Sequence, residues 1–281
     1  MKVTLWGTRG SLPAPGPETT RYGGNTSCVE VRAADGSLLV LDAGTGIRRL
    51  GDAIVDQLSR VDLLLTHLHM DHIQGLGFFE PLFRPAVEVH LWGPSSTTQD
   101  LRERLGRYLS PPLFPVRLRD LPRQPHLHDA VRAGRFEIGP FTVHAELVCH
   151  PGPTVGYRVE ADGVALAYLP DHEPALGHDE LPHDPDDIPG LGLAEGVDLL
   201  IHDAMYTAEE YPRHVGWGHS SLADAMTFAA AARVKRLVPF HHDPSHGDDM
   251  LDRLFAEATA SHRCFELLRG QEGSSYDLGT S

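Results

Sequence analysis

The sequence predicts an α/β fold in which two sheets pack face to face and helices cover their outer faces. Strand-like segments precede helix-like segments in both halves of the chain. Short apolar runs indicate buried strands, and apolar residues three and four positions apart indicate helices. Because no Gly/Ser-rich linker divides the 281 residues, we expect residues 1–281 to form a single domain with the layer order helix, sheet, sheet, helix.

In the first half, the predicted elements alternate between strands and helices. Short apolar runs predict strands at 3–6, 28–32, 38–41, 61–66 and 87–91. A helix is expected at 99–109, and a longer one at 43–60 carries apolar residues at helical spacing, namely Ile47, Leu50, Ile54 and Leu58.

The second half begins with strands that we expect to pair antiparallel, at 136–138, 141–148, 155–159 and 164–168. The turn residues Asp162 and Gly163 favour a hairpin between the last two. The remaining predictions are a strand at 197–202, a helix at 222–232 capped by Ser220 or Ser221, a strand at 236–240 and a helix near 250–258.

Composition restricts the class of substrate and the cellular setting. The formal net charge is -15, from 39 acidic and 24 basic residues, whereas a long nucleic acid requires many cationic phosphate contacts. We therefore expect a small substrate rather than a long nucleic acid. Cys28, Cys149 and Cys264 are widely spaced and favour the reducing cytoplasm, and no apolar run reaches the length of a membrane span.

The segment from His67 to His72 carries the strongest functional pattern. His67, His69, Asp71 and His72 directly follow the apolar run at 61–66. In sheets flanked by helices, ligands collect at the carboxyl ends of strands, and histidines two positions apart on an extended chain point the same way. Imidazole and carboxylate donors suit zinc, and they also accept manganese or iron.

Further donors follow later strands in the same manner. His150 follows the strand at 141–148, Asp171 follows the strand at 164–168, and the pair His241 and His242 follows the last clear strand. One such residue would be a weak signal, but the repeated placement indicates a shared metal site.

With these motifs together, the chain resembles the metallo-β-lactamase-fold hydrolases, in particular the branch that contains ribonuclease Z and cyclic-nucleotide phosphodiesterases. The resemblance covers nearly the whole chain and implies a four-layer αβ/βα sandwich that holds two divalent metal ions. It implies the following ligands: His67, His69 and His150 for the first ion, Asp71, His72 and His241 for the second, and Asp171 as the bridge between them. His242 could replace its neighbour in this set, although contact with a ligand residue or with substrate is the role we expect for it.

A second similarity to ribonuclease Z-like enzymes concerns the acid. The segments His202-Asp203-Ala204 and 218–221 resemble the His-Glu-Ala and Gly-His-Ser-Thr segments of those enzymes, with Asp in place of Glu and Ser in place of Thr. The resemblance implies that His219 contacts the phosphate and donates a proton, and that Asp203 orients it; a helix-capping role for this region is the alternative. Asp42 matches the turn whose carboxylate braces the metal histidines.

The chain also departs from the ribonuclease Z pattern. Only 21 positions separate His150 from Asp171, which leaves no room for the long tRNA-gripping arm found in that family. The loop at 171–190 is either a lid or a solvated surface loop. Arg9 and Arg21 lie on Gly-rich loops, where they either reach a phosphate or belong to tight surface turns.

These observations predict a cytoplasmic, dinuclear metal-dependent phosphodiesterase that hydrolyses a small phosphodiester such as a cyclic nucleotide. Asp71 would orient the attacking water, and His219 with Asp203 would protonate the leaving oxygen. The alternatives are a ribonuclease Z-like RNA nuclease, a thioester or lactone hydrolase of the same fold, and a non-catalytic metal-dependent sensor. The resemblance is compatible with a homodimer as the oligomeric state.

Overall fold

Two seven-stranded mixed sheets form the centre of the structure, a computed structural model that describes residues 1–176, 181–182, 184, 187–261 and 264–279. In spatial order, the first sheet contains β14 (Ser275–Asp277), β1 (Lys2–Gly7), β2 (Cys28–Arg32), β3 (Leu38–Leu41), β4 (Arg60–Leu64), β5 (Glu88–Gly93) and β6 (His126–Asp129). The second sheet contains β13 (Glu266–Leu267), β12 (Arg236–Phe240), β11 (Leu199–Asp203), β10 (Val164–Leu169), β9 (Val155–Ala161), β8 (Phe141–Leu147) and β7 (Arg135–Ile138).

Helices cover the outer faces of both sheets. The described α-helices are α1 (Ile47–Ile54), α2 (Met70–Ile73), α3 (Leu101–Tyr108), α4 (Ala130–Ala133), α5 (Leu191–Ala194), α6 (Leu222–Ala231) and α7 (Asp248–Ser261). Helices α1 and α3 share an apolar cluster with the first sheet, and α5 and α6 share another with the second. These two clusters form the outer interfaces of a four-layer sandwich.

The inner faces of the two sheets form the third apolar cluster. Val31 and Leu41 of the first sheet are fully buried with Phe141, Val159 and Ile201 of the second. Each such side chain contributes roughly 1.5–3 kcal/mol by leaving water. The predicted layer order is therefore confirmed, and it follows from strands that are apolar on both faces.

Strand direction positions the loops that carry the predicted donors. Strands β3 to β6 run parallel to one another, and so do β10 to β13. Consequently the carboxyl ends of β4, β10, β11 and β12 open toward one edge of the sandwich, where ligands collect in layered α/β folds. The donor residues lie on the loops at that edge.

The helix predicted at 43–60 is wrong at both ends. It begins at Ile47 and ends at Ile54, a 3₁₀ turn follows, and Arg60 already belongs to β4. Residues 42–46 are not helical because their backbone is bonded to the site loops: the amide of Ala43 donates to the carbonyl of His72 at 2.8 Å, and the amide of Gly44 donates to that of Ser27 at 2.9 Å.

Other element predictions have mixed outcomes. The hairpin at Asp162 and Gly163 is confirmed, since β9 and β10 pair antiparallel and both turn residues have positive φ. Strands β6, β13 and β14 were not predicted. Strand β6 reads His-Leu-His-Asp, which lacks the apolar run used to recognise buried strands.

The loop predicted at 171–190 is only partly described, because residues 177–180, 183, 185 and 186 lie outside the described residues. Its first three residues, Asp171 to Glu173, are buried rather than on the surface. Within the described part of the chain, no helix has the length and apolar character needed to cross a membrane. The assignment of residues 1–281 to one domain stays a prediction.

Candidate metal centre

The first donor group consists of His67, His69 and His150. His67 and His69 lie on the extended loop between β4 and α2, and His150 follows β8. One ring nitrogen of each lies within 4.8 Å of the others. Nδ1 of His69 is 3.2 Å from Nε2 of His150, and Nε2 of His67 is buried without a hydrogen-bond partner among the residues that the structure describes.

The second donor group consists of Asp71, His72, Asp171 and His241, all of them buried. Asp71 and His72 lie in α2, which begins directly after His69, and His241 follows β12. Nε2 of His241 is 3.3 Å from Nε2 of His72 and 3.0 Å from Oδ2 of Asp71.

The carboxylate of Asp171 lies between the two groups. Its Oδ2 is 3.8 Å from Nε2 of both His67 and His150, and 3.3 Å from Nε2 of His241. Its Oδ1 is 2.9 Å from Nε2 of His72. One carboxylate is thus within reach of both donor groups, which is the arrangement that a bridging ligand requires.

Contacts behind the donors fix the orientation of the rings. Oδ2 of Asp42 is 2.8 Å from Nδ1 of His72 and accepts the proton carried there, and the carbonyl of Gly218 accepts from Nδ1 of His150 at 2.8 Å. Asp42 is itself held by the amide of Thr66. Such contacts leave the opposite nitrogen of each ring directed into the site, as in many metal centres.

The residues present fit divalent cations. Two pairs of imidazole nitrogens face each other at close range, one between His69 and His150 and one between His72 and His241, and each pair needs a proton or a metal ion between its lone pairs. Imidazole and carboxylate donors suit zinc, manganese or iron. A positive ion at each group would satisfy these atoms and the unpartnered nitrogen of His67.

The electrostatics of the site point the same way. Burial lowers the pKa of His67, and the neighbouring His72 lowers it further. Burial also disfavours a charge on His72, but the carboxylates of Asp171, Asp71 and Asp42 outweigh it and raise the pKa of His72 well above its ordinary value. The carboxylates therefore attract positive charge strongly into this site.

His219 and Asp203 form a buried pair beside both donor groups. Nδ1 of His219 is 2.6 Å from Oδ2 of Asp203, while the amides of Met205 and Ser220 donate to the other oxygen. Burial lowers the pKa of His219, but the charge of Asp203 outweighs it, and the pKa is raised to about 9. The ring stacks on that of His241 with centroids 4.9 Å apart.

A comparison with known families identifies the type of protein that carries this centre. The model of the beta-lactamase superfamily domain matches residues 38–242, which is well over half of the chain. The chain belongs to the β-lactamase superfamily. The matched range includes every donor of both groups and also His219 and Asp203.

Individual relatives agree with this assignment. The ribonuclease Z of Natronomonas pharaonis is 28% identical over 89% of this chain and 89% of that relative. The metallo-beta-lactamase fold protein YhfI from Bacillus subtilis superposes with a TM-score of 0.71, at 20% identity over 98% of this chain and 99% of the other. A diphosphatase from the PhnP family superposes with a TM-score of 0.69, at 18% identity over 99% of this chain and 97% of the other.

At such identities the two solved structures establish the fold alone. Together with the family match, they make this β-lactamase-superfamily protein a metal-dependent hydrolase with the metallo-β-lactamase fold.

In this superfamily member, His241 and His242 point in different directions. His241 has a φ of 62° and its ring lies in the second donor group. His242 packs edge-on against Tyr22, and its Nε2 donates to the carbonyl of Gly270 at 2.8 Å. Burial lowers the pKa of His242 to about 3. His241 rather than His242 therefore belongs to the donor group, and of the two roles expected for His242 the contact with substrate is wrong, while contact with a ligand residue stays a prediction.

Arg9 does not face the site and does not lie at the surface, so both alternatives, the phosphate contact and the surface turn, are wrong for this residue. It is fully buried, and its guanidinium donates to the carbonyls of Gly23, Asp243 and His246. It thereby ties the N-terminal loop to the segment that follows His241. Arg21 lies at the surface and pairs with Asp249 and Asp252.

Glu173 is a residue of the site region that the sequence reasoning missed. Its carboxylate accepts from the amides of Gly216 and Gly218 and from the hydroxyl of Tyr211. It therefore fixes the turn that precedes His219. Its proximity to Asp171 in the sequence was the only available signal.

Proposed function

We propose that this protein is a dinuclear metal-dependent phosphodiesterase that hydrolyses a small phosphodiester such as a cyclic nucleotide. The observation that carries the proposal is the convergence of two donor groups on Asp171, with the His219–Asp203 pair beside them. A phosphodiester requires charge neutralisation, an attacking water and a proton for the leaving oxygen, and this arrangement offers all three.

The donor groups would hold one ion each. His67, His69 and His150 would bind the first, Asp71, His72 and His241 the second, and Asp171 both. When bound, zinc, or manganese or iron in its place, would neutralise the phosphate and lower the pKa of water. Oδ2 of Asp71, which accepts from the amide of Ser11 at 2.8 Å, is held in place to orient the attacking water.

His219 would act as the acid. Because Nδ1 is engaged by Asp203, Nε2 is the nitrogen that can deliver a proton to the leaving oxygen. Burial lowers the pKa of His219, but the charge of Asp203 raises it to about 9, so the ring stays protonated near neutral pH. Asp203 would therefore orient and charge the acid without contacting substrate.

The surroundings support a small substrate. A cleft of about 350 Å³ borders the first donor group and is lined by side chains such as Met70, Tyr108, Leu113 and Pro151. Between His150 and Asp171, the β9–β10 hairpin takes up nearly all of the chain. The acidic net charge adds to this preference.

RNA is the second candidate substrate, and two observations favour it. The relative with 28% identity is named ribonuclease Z. In addition, the segment 102–135 contains eight arginines and only three acidic residues, and Arg104 and Arg107 line the cleft beside His67 and His69. A local basic surface of this kind can contact several phosphates despite the acidic total.

The remaining alternatives use the same centre. A thioester or lactone hydrolase would need the ions but not a protonated His219, and a non-catalytic sensor would need neither the acid nor Asp203. A cytoplasmic location and a homodimer stay predictions.

A substrate panel tests the proposal. Zinc- or manganese-loaded protein is assayed with cyclic nucleotides, bis-p-nitrophenyl phosphate, an RNA with a 3′ trailer, a thioester and a lactone. We expect turnover of cyclic nucleotides that is abolished in His69→Ala and retained in His144→Ala, a matched variant on β8 away from the centre.

Each other outcome would replace the proposal with a stated alternative. Cleavage of RNA without cyclic-nucleotide turnover would assign a nuclease, and hydrolysis of esters alone would assign an esterase. Bound metal without turnover of any substrate would favour the sensor.

A further inference from the structure

A second group of histidines lies on the first sheet, away from the metal centre. Glu88 and His90 are two positions apart on β5 and share one face, and His126 pairs with His90 across β6. On its other side, His90 pairs with Asp62 of β4. Asp62 precedes His67 by five residues, so roughly 16 Å of extended chain separates this position from the metal centre. The edge cluster, defined as Glu88, His90 and His126, is therefore distinct from the donors described above.

The ligand-type atoms of the edge cluster converge. Nε2 of His90 is 2.7 Å from Oε1 of Glu88, and Nε2 of His126 is 3.7 Å from the same oxygen. All three donor atoms lie within 4.8 Å of one another. Donors bound to one zinc ion lie roughly 3.3 Å apart, since each is about 2.0–2.2 Å from the metal, so a small adjustment suffices.

A proton or a metal ion must lie between Nε2 of His90 and Oε1 of Glu88, which are 2.7 Å apart. Nδ1 of His90 is 2.8 Å from Nε2 of His128, so one of these two nitrogens carries the proton. If Nδ1 of His90 carries it, the Nε2 lone pair faces the carboxylate of Glu88 at 2.7 Å, which is repulsive unless a cation lies between them. This is the tautomer in which a neighbour of the ligand orients it toward a metal.

The neighbours of the edge cluster leave its donor atoms available. Arg123 pairs with Oε2 of Glu88 and so leaves Oε1 directed at the imidazoles. In the other tautomer, Nε2 of His90 donates to Glu88, and this hydrogen bond lowers the pKa of Glu88 and favours the ionised form that a metal ligand needs. The side chain of His126 is 51% exposed and that of His90 only 9%, so an ion could enter from solvent and bind a nearly buried ring.

We propose that Glu88, His90 and His126 form an additional site that binds one divalent transition-metal ion such as zinc. Two imidazoles and one carboxylate match the preference of zinc over magnesium or calcium, with a fourth position left to water. The ion would join β5 to β6 at the sheet edge. The site has no part in the proposed hydrolysis.

Zinc stoichiometry at micromolar free zinc tests this site. Holoenzyme, His126→Ala and Glu88→Gln are dialysed against buffered zinc, and bound metal is counted by mass spectrometry. We expect each variant to bind one equivalent less than wild type and to keep wild-type turnover. The matched variant His144→Ala, also a strand histidine, is expected to bind as much as wild type.

Equal zinc content in wild type and both variants would overturn the proposal and leave a proton-linked network in its place. If His126→Ala fails to fold by circular dichroism, Glu88→Gln decides, because it replaces the charged carboxylate by a neutral amide of nearly equal size. Asp171→Ala provides the independent check, since it should lose metal from the hydrolytic centre while retaining the equivalent that depends on His126.

Discussion

At the scale of single residues, the pairing of His219 with Asp203 is the feature that separates an acid-assisted hydrolase from a bare metal site. Nδ1 of His219 is 2.6 Å from Oδ2 of Asp203, and both side chains are buried. The contribution of this acid to the rate depends on the leaving group, because a poor leaving group needs a proton and a stable anion such as p-nitrophenolate does not. This dependence distinguishes an acid from a residue that merely maintains the structure.

His219→Ala is expected to lower kcat for a cyclic nucleotide by about 10²–10⁴-fold, because the alkoxide must then leave unprotonated. The same variant should lower kcat for bis-p-nitrophenyl phosphate by much less, since p-nitrophenolate leaves readily. Steady-state kinetics on both substrates measure the two effects. Equal losses would contradict the acid role and indicate a structural one.

His202 offers a prediction about pH and stability. Its ring is fully buried against Phe228, and Nδ1 donates to the carbonyl of Asp203. Within the described part of the chain, Nε2 has no hydrogen-bond partner. Burial lowers the pKa of His202, which outweighs the opposing hydrogen bond and the charges of Asp203 and Asp224. The folded protein therefore keeps this ring neutral at pH values where the unfolded chain is protonated.

Because the folded pKa is below the unfolded value of about 6.5, the stabilisation is complete above that pH and is lost as the pH falls. The loss reaches up to about 1.4 kcal/mol for each pH unit. Urea unfolding between pH 7.5 and 5 should show a shallower decline for His202→Gln than for wild type. Parallel declines in the two proteins would contradict this assignment.

The sequence predicted the donor residues but not the direction of each side chain. His241 and His242 are adjacent after β12, and a φ of 62° at His241 decides which ring enters the site. That angle depends on distant contacts, such as the bond from the amide of Gly10 to the carbonyl of His242. No local pattern encodes it.

At the scale of elements, α6 determines where His219 lies, because the helix begins three residues later. Ser221 accepts from the amide of Asp224, and the carboxylate of Asp224 accepts from the amide of Ser221, which together form a capping box. The cap satisfies backbone amides that would otherwise lack partners at the helix start.

Ser221→Ala should therefore lower the free energy of unfolding by about 1 kcal/mol, within the range of about 0.5–2 for lost caps. Thr227→Ala, at an exposed position inside the same helix, is the control and should change stability little. Urea denaturation compares the two. A loss of comparable size in both variants would show that the cap has no special role.

Elements with strong periodicity were predictable, and elements fixed by distant contacts were not. The strand at 236–240 was predicted with its observed limits, since Leu237, Val238 and Phe240 form an apolar segment directly before the histidine pair. The start of α1 was misplaced because residues 42–46 bond to the site loops instead of forming a helical turn. The sequence pattern carries no signal for such bonds.

At the scale of the whole molecule, the centre lies between the two sheets, and each contributes donors. The first sheet leads to His67 and His72, and the second leads to His150, Asp171 and His241. Buried polar bonds join the halves: the hydroxyl of Tyr168 donates to Asp42 at 2.9 Å, and that of Tyr157 donates to the carbonyl of Leu65 at 2.8 Å. Assembly of the centre therefore requires both sheets to pack.

The layer order was predictable at this scale, but the distances within the centre were not. Alternating strands and helices, and apolar runs with donors at their ends, were sufficient for the four layers and for the loops at one edge. The position of Asp171 between two donor groups depends on how the sheets pack, which residue patterns do not specify.

Anomalous scattering from crystals grown with zinc or manganese would show whether Asp171 lies between two cations. We predict two peaks roughly 3.5–4 Å apart, one beside His67, His69 and His150 and the other beside Asp71, His72 and His241, with Asp171 touching both. A single peak, or two peaks that Asp171 does not contact, would contradict it.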